Sequence, residues 1–153
     1  MSDTRFLADS MLGRLAKWLR IMGYNTYYQP HYLPGELEGL AKGDRVLLTR
    51  KKRLSLLVPT AILLGSERIG EQIKELKARG LLSSRPIPFS RCIRCNTLLI
   101  RVDHDTLSER VPEYVIHKSG NSVRQCPSCG RCYWPGSHRK RMERQLHLWG
   151  VQI

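Results

Sequence analysis

The sequence predicts an α/β domain with a largely parallel, three-layer sheet, followed by a small cysteine-rich module. In the first half of the 153-residue chain, short apolar runs alternate with segments of helical periodicity. This alternation is typical of a parallel sheet that is covered by helices. In the second half, two C-x-x-C pairs are separated by a medium-length spacer. The domain is expected over residues 1–85 and the module over residues 86–153.

The first strand and the first helix carry the clearest pattern. A buried strand is predicted over Arg5–Ala8, and Asp9 ends it. Apolar residues recur on one face of Met11–Met22 at helical spacing, and Gly23 is a typical C-terminal stop. Asp9 could therefore cap this helix or serve as a metal ligand. The opposite face carries a basic stripe, which could bind a polyanion or be a solvated surface: Arg14, Lys17 and Arg20.

The remaining elements complete the predicted sheet. Further strands are expected over Asn25–Tyr28, Arg45–Thr49 and Pro59–Leu64, and helices over Gly35–Lys42 and Glu67–Arg79. The third strand leads into a basic run: Arg50, Lys51, Lys52 and Arg53. Functional groups of parallel sheets gather at the carboxyl ends of strands, so Asp9, Asn25 and Lys51 are expected at that edge. Lys51 could contact phosphate or be an ordinary surface lysine.

The module is defined by four paired cysteines: Cys92, Cys95, Cys126 and Cys129. Two C-x-x-C turns can place four thiolates at the corners of a tetrahedron, which predicts a structural zinc site. Asn96 and Gly130 follow the second cysteine of each pair, where the chain must turn sharply and positive φ is common. Cys132 could substitute as a ligand or be a spare thiol.

The rest of the second half predicts a ribbon and a basic helix. Ser83–Ser90 is predicted to be a linker, and strands are expected over Thr97–Val102 and Val123–Gln125. Ser137 can cap a final helix that runs to about Trp149. Tyr133 and Trp134 could stack on bases or pack in the ribbon core. Candidate polyanion contacts at the start of the helix are His138, Arg139, Lys140 and Arg141.

Charge points to the class of partner. The chain has 26 Lys and Arg against 13 Asp and Glu, a formal net charge of +13, and both halves are basic. This balance favours a polyanion, and nucleic acid is the default. The apolar runs are too short to span a membrane, and the first residues lack a secretory signal. We therefore expect a cytoplasmic protein with reduced thiols, the alternative being structural disulfides.

Three segments resemble a known family. They are Phe6–Arg20, Leu47–Arg50 and Cys126–His138. They are similar to the PIN-like ribonuclease family that is named for the Mut-seven C-terminal domain, and the resemblance covers nearly the whole chain. It implies a PIN-like core that acts on RNA, followed by a zinc ribbon.

The resemblance also implies a metal-dependent active site. In such a site several carboxylates hold Mg²⁺ or Mn²⁺, which activates water and stabilises charge on the phosphate. Asp9 stands where the family has its first aspartate. Asn25 and Lys51 stand where the family usually has aspartates, and a lysine beside Asp9 is expected to form an ion pair with it. Other carboxylates that could contribute are Glu36, Glu38 and Asp44.

These observations support three hypotheses about function. The leading one is an RNA-binding member of the family with structural zinc and weakened or lost catalysis. The second is an active Mg²⁺- or Mn²⁺-dependent endoribonuclease that works through Asp9 and other carboxylates. The third is a non-catalytic module that docks on an RNA-rich assembly.

Overall fold

A computed structural model describes residues 3–107 and 109–153 of the chain. It divides into two compact units, Met1–Phe89 and Ser90–Ile153, which we call the N-terminal unit and the C-terminal unit. Among the described residues, no helix combines the length and the apolar character that crossing a membrane requires.

The N-terminal unit is built on a four-stranded parallel sheet. Its strands are β1 (Phe6–Ala8), β2 (Thr26–Tyr28), β3 (Val46–Thr49) and β4 (Ile62–Leu63), in the spatial order β2-β1-β3-β4. Phe6 aligns with Thr26 on one side and with Val46 on the other. The central strand β1 is fully buried, as expected for a strand that is covered on both faces.

Helices cover both faces of this sheet. They are α1 (Gly13–Ile21), α2 (Glu36–Leu40), α3 (Lys52–Leu57) and α4 (Ile69–Ala78). Leu37 of α2 and Leu54 of α3 pack with Leu7 and Leu47 on one face. Successive strand side chains point to opposite faces, so Phe6 and the other alternate residues face the layer in which α1 lies against α4. The α/β three-layer fold that the sequence predicts is therefore confirmed.

Several element boundaries differ from the predictions. The first helix begins with a single 3-10 turn, Ser10–Leu12, before α1. Helix α3 was not predicted, although Leu54 and Val58 are spaced one helical turn apart and both are buried. A strand was expected over Pro59–Leu64, but only its residues 62–63 form a strand, β4. Residues 59–61 belong to a turn that follows α3.

The predicted linker is attached to the N-terminal unit over most of its length. The Tyr24 hydroxyl donates to the Ser84 carbonyl, and the Phe89 amide donates to the Ile21 carbonyl at 2.8 Å. Gly23 has φ 96°, and a Cβ atom there would lie 2.3 Å from the Ile87 carbonyl oxygen. Glycine is thus required both by the turn and by the close approach of this segment.

The C-terminal unit has a three-stranded antiparallel sheet in the order β5-β6-β7, where β5 is Ile100–Arg101, β6 is Arg124–Gln125 and β7 is Cys132–Tyr133. Two short helices lie between β5 and β6: α5 (His104–Leu107) and α6 (Glu113–Ser119). They contribute to a small core of Leu107, Val111, Val115 and Val123. The last helix is α7 (Ser137–Leu148).

Three features of this unit were not predicted correctly. Helices α5 and α6 form in the spacer and were not predicted, and Pro112 at the N-cap of α6 is the local signal that was missed. Strand β7 was also missed. Gly136, not Ser137, is the N-cap of α7, and no side chain caps that helix. Ser137 instead takes the first helical position, where its backbone is already helical.

Candidate nucleic-acid and metal-binding sites

The strand order places a candidate site where β1 and β3 end. The chain passes from β1 to β2 on one side of β1 and then returns to β3 on the other side. In open α/β sheets, such a reversal opens a crevice at the carboxyl ends of the two strands. Asp9 directly follows β1, and Arg50 and Lys51 directly follow β3. The sequence expectation that Asp9 and Lys51 meet at this edge is confirmed.

Asp9 is fully buried, and its carboxylate accepts from several donors. Oδ1 accepts from the Ser10 hydroxyl at 3.1 Å and from the Met11 amide at 3.3 Å. Oδ2 accepts from the Thr49 hydroxyl at 2.8 Å. The bond to the Met11 amide caps the 3-10 turn that leads into α1. Asp9 is thus an N-cap residue, one of the two roles that the sequence left open.

Lys51 completes this arrangement. Its Nζ atom lies 3.7 Å from Asp9 Oδ1, with the lysine side chain 50% exposed and the aspartate side chain fully buried. The ion pair that the sequence predicts is therefore confirmed. Thr49 links the two residues, because its Oγ1 donates to Asp9 and accepts from the Lys51 amide at 3.0 Å. Thr49 was not singled out from the sequence, since a buried threonine at the end of a strand is ordinary.

Two tyrosines form hydrogen bonds to the backbone at the same edge of the sheet. The Tyr32 hydroxyl donates to the Ala8 carbonyl at 2.8 Å and accepts from the Gln29 amide at 3.0 Å. Burial raises the pKa of Tyr32 to about 12, so this hydroxyl keeps its proton at neutral pH. The Tyr28 hydroxyl donates to the Ser10 carbonyl at 3.1 Å. These bonds tie the loop after β2 to the residues that flank Asp9.

Glu36 has a local role in that loop. Its Oε2 atom accepts from the Leu33 amide at 2.7 Å, which stabilises the turn before α2. Within residues 3–107 and 109–153, neither Asp9 nor Glu36 belongs to a group of three or more side chains placed to share a metal ion.

Two residues that the sequence associated with this edge lie at the opposite end of the sheet. Asn25 precedes β2, and its carbonyl accepts from the Phe6 amide at 2.9 Å. Asp44 precedes β3 and pairs with Arg5 at 3.1 Å. The expectation that Asn25 stands at the carboxyl edge was therefore wrong. Asn25 lies at the start of the strand and not at its end, and the parallel register with β1 therefore places it at the amino edge.

The predicted basic stripe of α1 is only partly exposed. Arg14 and Lys17 face solvent, but Arg20 is buried and its Nε atom donates to the Thr26 carbonyl at 3.0 Å. Residues three apart differ by about 60° around a helix, so the two steps from Arg14 to Arg20 turn the side chain by about 120°. Arg20 therefore reaches the side of α1 that packs near β2, and it does not extend the stripe.

The other basic candidates are mostly exposed. In the N-terminal unit they are Arg50, Lys51, Lys52 and Arg53, and in the C-terminal unit they are His138, Lys140 and Arg141. Arg139 is half-buried and pairs with Glu143, 3.2 Å away on the next turn of α7. That pair neutralises part of the charge of α7, and the exposed members remain as candidate phosphate contacts.

The C-terminal unit brings the four paired cysteines together. The Sγ atoms of Cys92, Cys95, Cys126 and Cys129 all lie within 4.8 Å of one another. Cys92 Sγ and Cys129 Sγ are 3.7 Å apart. A tetrahedral zinc ion with bonds of about 2.3 Å separates its sulfur ligands by about 3.8 Å. Donor type, number and spacing therefore fit a zinc ion that is fully ligated by protein.

The local backbone geometry turns the chain at each knuckle and places amide donors near the cysteine sulfur atoms. Asn96 and Gly130 have φ of 66° and 79°, so both knuckles turn as predicted. The Cys95 amide lies 3.4 Å from Cys92 Sγ, and the Cys129 amide lies 3.5 Å from Cys126 Sγ. Burial alone would raise the pKa of Cys126, but hydrogen bonds from the amides of Cys129 and Ser128, together with the thiols of Cys92 and Cys129, outweigh it and lower the pKa to about 7.

The residues after the second knuckle are structural. Cys132 is not part of the thiol cluster and packs with Trp134 against the small core of the C-terminal unit. Burial raises the pKa of its thiol. The prediction that Cys132 is a spare thiol agrees with this placement. Trp134 packs against the core of the ribbon, which is one of the two roles that the sequence left open for it.

Comparison with known proteins identifies the family. The sequence matches the model described as the Mut7-C RNAse domain over residues 4–146, nearly the whole chain. No curated protein and no solved structure matches the chain. The matched range includes the Asp9 edge of the sheet and all four cysteines of the cluster. This protein belongs to the Mut7-C RNase domain family.

Proposed function

We propose that this protein binds RNA through its exposed basic residues, that its catalysis is weakened or lost, and that zinc is structural. The observation that carries the proposal is the set of hydrogen bonds and the ion pair that Asp9 already makes. Its buried carboxylate already accepts from two hydroxyls and one amide and is paired with Lys51. A metal ion at this carboxylate would have to displace these donors.

Electrostatics adds to this competition. A divalent cation beside Asp9 would also lie close to the Lys51 ammonium. Two unit charges 4 Å apart interact by about 4 kcal/mol near a protein surface, and a divalent ion doubles that repulsion. The same ammonium attracts phosphate, and half of the Lys51 side chain remains exposed to receive it. The edge is thus better suited to holding an RNA backbone than to cutting it.

The exposed cations flank this position in the chain. Arg14 and Lys17 lie on the helix after Asp9, and Arg50, Lys52 and Arg53 surround Lys51 in sequence. Phosphate contacts give affinity without sequence selection and release counterions on binding. We therefore expect affinity for RNA to fall steeply with salt. A flat salt dependence would instead favour the third hypothesis, a module that docks on protein.

Charge-neutral variants test the RNA surface. We expect Arg50→Gln with Lys52→Gln, and separately Arg14→Gln with Lys17→Gln, to weaken binding of a single-stranded RNA oligonucleotide. Each double variant should reduce the slope of log affinity against log salt by about 1.4, or about 0.7 per lost contact. Fluorescence anisotropy over a salt series measures this. Lys74→Gln, an exposed lysine on α4, is the control and should keep the wild-type slope.

A cleavage assay tests the catalytic part. We expect the wild-type protein to leave single-stranded and structured RNA intact with Mn²⁺ or Mg²⁺ present. Lys51→Asp should increase Mn²⁺ affinity, because it removes the ammonium and places a second carboxylate beside Asp9. Calorimetric titration of Mn²⁺ and gel analysis of the RNA are the two measurements. Metal-dependent cleavage by the wild type that disappears in a folded Asp9→Asn variant would establish the active nuclease instead.

A further inference from the structure

The Tyr133 hydroxyl lies against the first zinc knuckle. Its oxygen accepts from the Ile93 amide at 3.2 Å and lies 3.2 Å from Cys92 Sγ. A zinc-bound thiolate carries no proton, so in the metal-loaded site the tyrosine hydroxyl is the donor of this contact. Tyr133 is in β7 and Cys92 precedes the first knuckle turn, so this contact joins parts of the ribbon that are 41 residues apart.

Both knuckles offer backbone amides to sulfur, and the first also has a side-chain donor. At the second knuckle, the amides of Cys129 and Ser128 donate to Cys126. At the first knuckle, Cys92 has the Cys95 amide at 3.4 Å and also the Tyr133 hydroxyl. Cys92 is fully buried, so water cannot supply a donor in place of the tyrosine.

The charge of the site gives this contact its importance. One zinc ion with four thiolates carries a net charge of about −2, which is costly to bury unless donors reach the sulfurs. Groups that hydrogen-bond to metal ligands orient them, and their loss typically lowers metal affinity 10- to 100-fold.

We propose that Tyr133 is a positioning residue for the zinc site, which holds the Cys92 thiolate in place by donating its hydroxyl proton to the sulfur. The proposal rests on the structural zinc ion of the proposed function. The two proposals can be tested separately. If the purified protein contains no zinc, the structural zinc ion is contradicted. If it contains zinc and the zinc affinity does not depend on Tyr133, only the role of Tyr133 is contradicted.

The test is Tyr133→Phe, which removes the hydroxyl and keeps the ring. We expect a 10- to 100-fold increase in the zinc Kd, measured by competition with a chromogenic chelator. In Co²⁺-substituted protein, the thiolate-to-cobalt charge-transfer band should shift, because one sulfur loses a donor. Tyr114→Phe, a 70% exposed tyrosine on α6, is the matched control and should leave both readouts unchanged.

Wild-type Kd and an unshifted cobalt band in Tyr133→Phe would overturn the proposal. If that variant does not fold at saturating zinc, the wild-type protein decides the question. When it is loaded with ¹¹³Cd, the Tyr133 hydroxyl proton should exchange slowly and show scalar coupling to the metal across the hydrogen bond. A fast-exchanging hydroxyl without that coupling would overturn the role.

Discussion

Removal of zinc should unfold the C-terminal unit and leave the N-terminal unit folded. In the described part of the C-terminal unit, the three strands have only two residues each, and a small core centres on four apolar side chains. Burial of such a side chain contributes about 1.5–3 kcal/mol. Zinc binding by four ligands contributes about 10–16 kcal/mol in small zinc modules. The contribution of the metal is therefore at least comparable to that of the core, and we expect the fold of this unit to depend on it.

The measurement is a two-dimensional amide NMR spectrum before and after treatment with a strong chelator. Signals of residues 90–153 should collapse to unfolded positions, and signals of the N-terminal unit should persist. Cys126→Ser should reproduce this effect without a chelator. Cys132→Ser is the matched control, since that thiol lies outside the cluster and should be dispensable. Dispersed signals for residues 90–153 in metal-free Cys126→Ser protein would contradict the prediction.

The second large effect is expected for Asp9→Ala, which should destabilise the N-terminal unit by about 2–4 kcal/mol. Loss of the N-cap contributes about 1 kcal/mol. The buried Thr49 hydroxyl, left without its acceptor, contributes about 1–3 kcal/mol. Lys51 adds little, because its half-exposed ammonium can return to water. Urea unfolding, followed by a probe in the N-terminal unit, gives the free-energy difference.

Asp44→Ala is the matched control for this experiment. Asp44 also pairs with a cation, but both partners are exposed, with 54% of Arg5 and 71% of Asp44 accessible. An exposed pair of this kind contributes at most about 1 kcal/mol. Equal stability losses for Asp9→Ala and Asp44→Ala would show that the donors around Asp9 do not stabilise the fold. Asp9→Asn should fall between the two, because the amide oxygen can still accept from the Met11 amide.

Much of the N-terminal unit could be predicted because its signals are local. Buried strands read as apolar runs, and α1 and α4 read as amphipathic repeats that end at Gly23 and Gly80. The missed helices α3, α5 and α6 have only six, four and seven residues. Short helices of this kind depend on tertiary packing for their stability, so their own sequence carries little of the signal.

The candidate sites also contain residues whose roles could be predicted from the sequence and residues whose roles could not. The zinc cluster was predictable residue by residue, because tetrahedral coordination imposes a fixed spacing on each C-x-x-C pair. The roles of Thr49 and Tyr133 were not, since each acts on a residue far away in the chain. Arg20 was misassigned because a repeat of three drifts around a helix, which brings Arg20 one turn after the buried Ala16.

The sequence by itself determined the α/β class, the cysteine ligand set, the family resemblance and the pairing of Lys51 with Asp9. The α/β class and the cysteine ligand set follow from periodicity and spacing, whereas the pairing of Lys51 with Asp9 was expected from the resemblance and from the rule that the carboxyl ends of parallel strands meet at one edge. Only the tertiary structure decided that Asp9 is buried and caps the turn before α1, that Asn25 stands at the amino edge of the sheet, and that Arg20 is removed from solvent. Each of these depends on strand register and on contacts between distant segments, and neither is written in any one stretch of the chain.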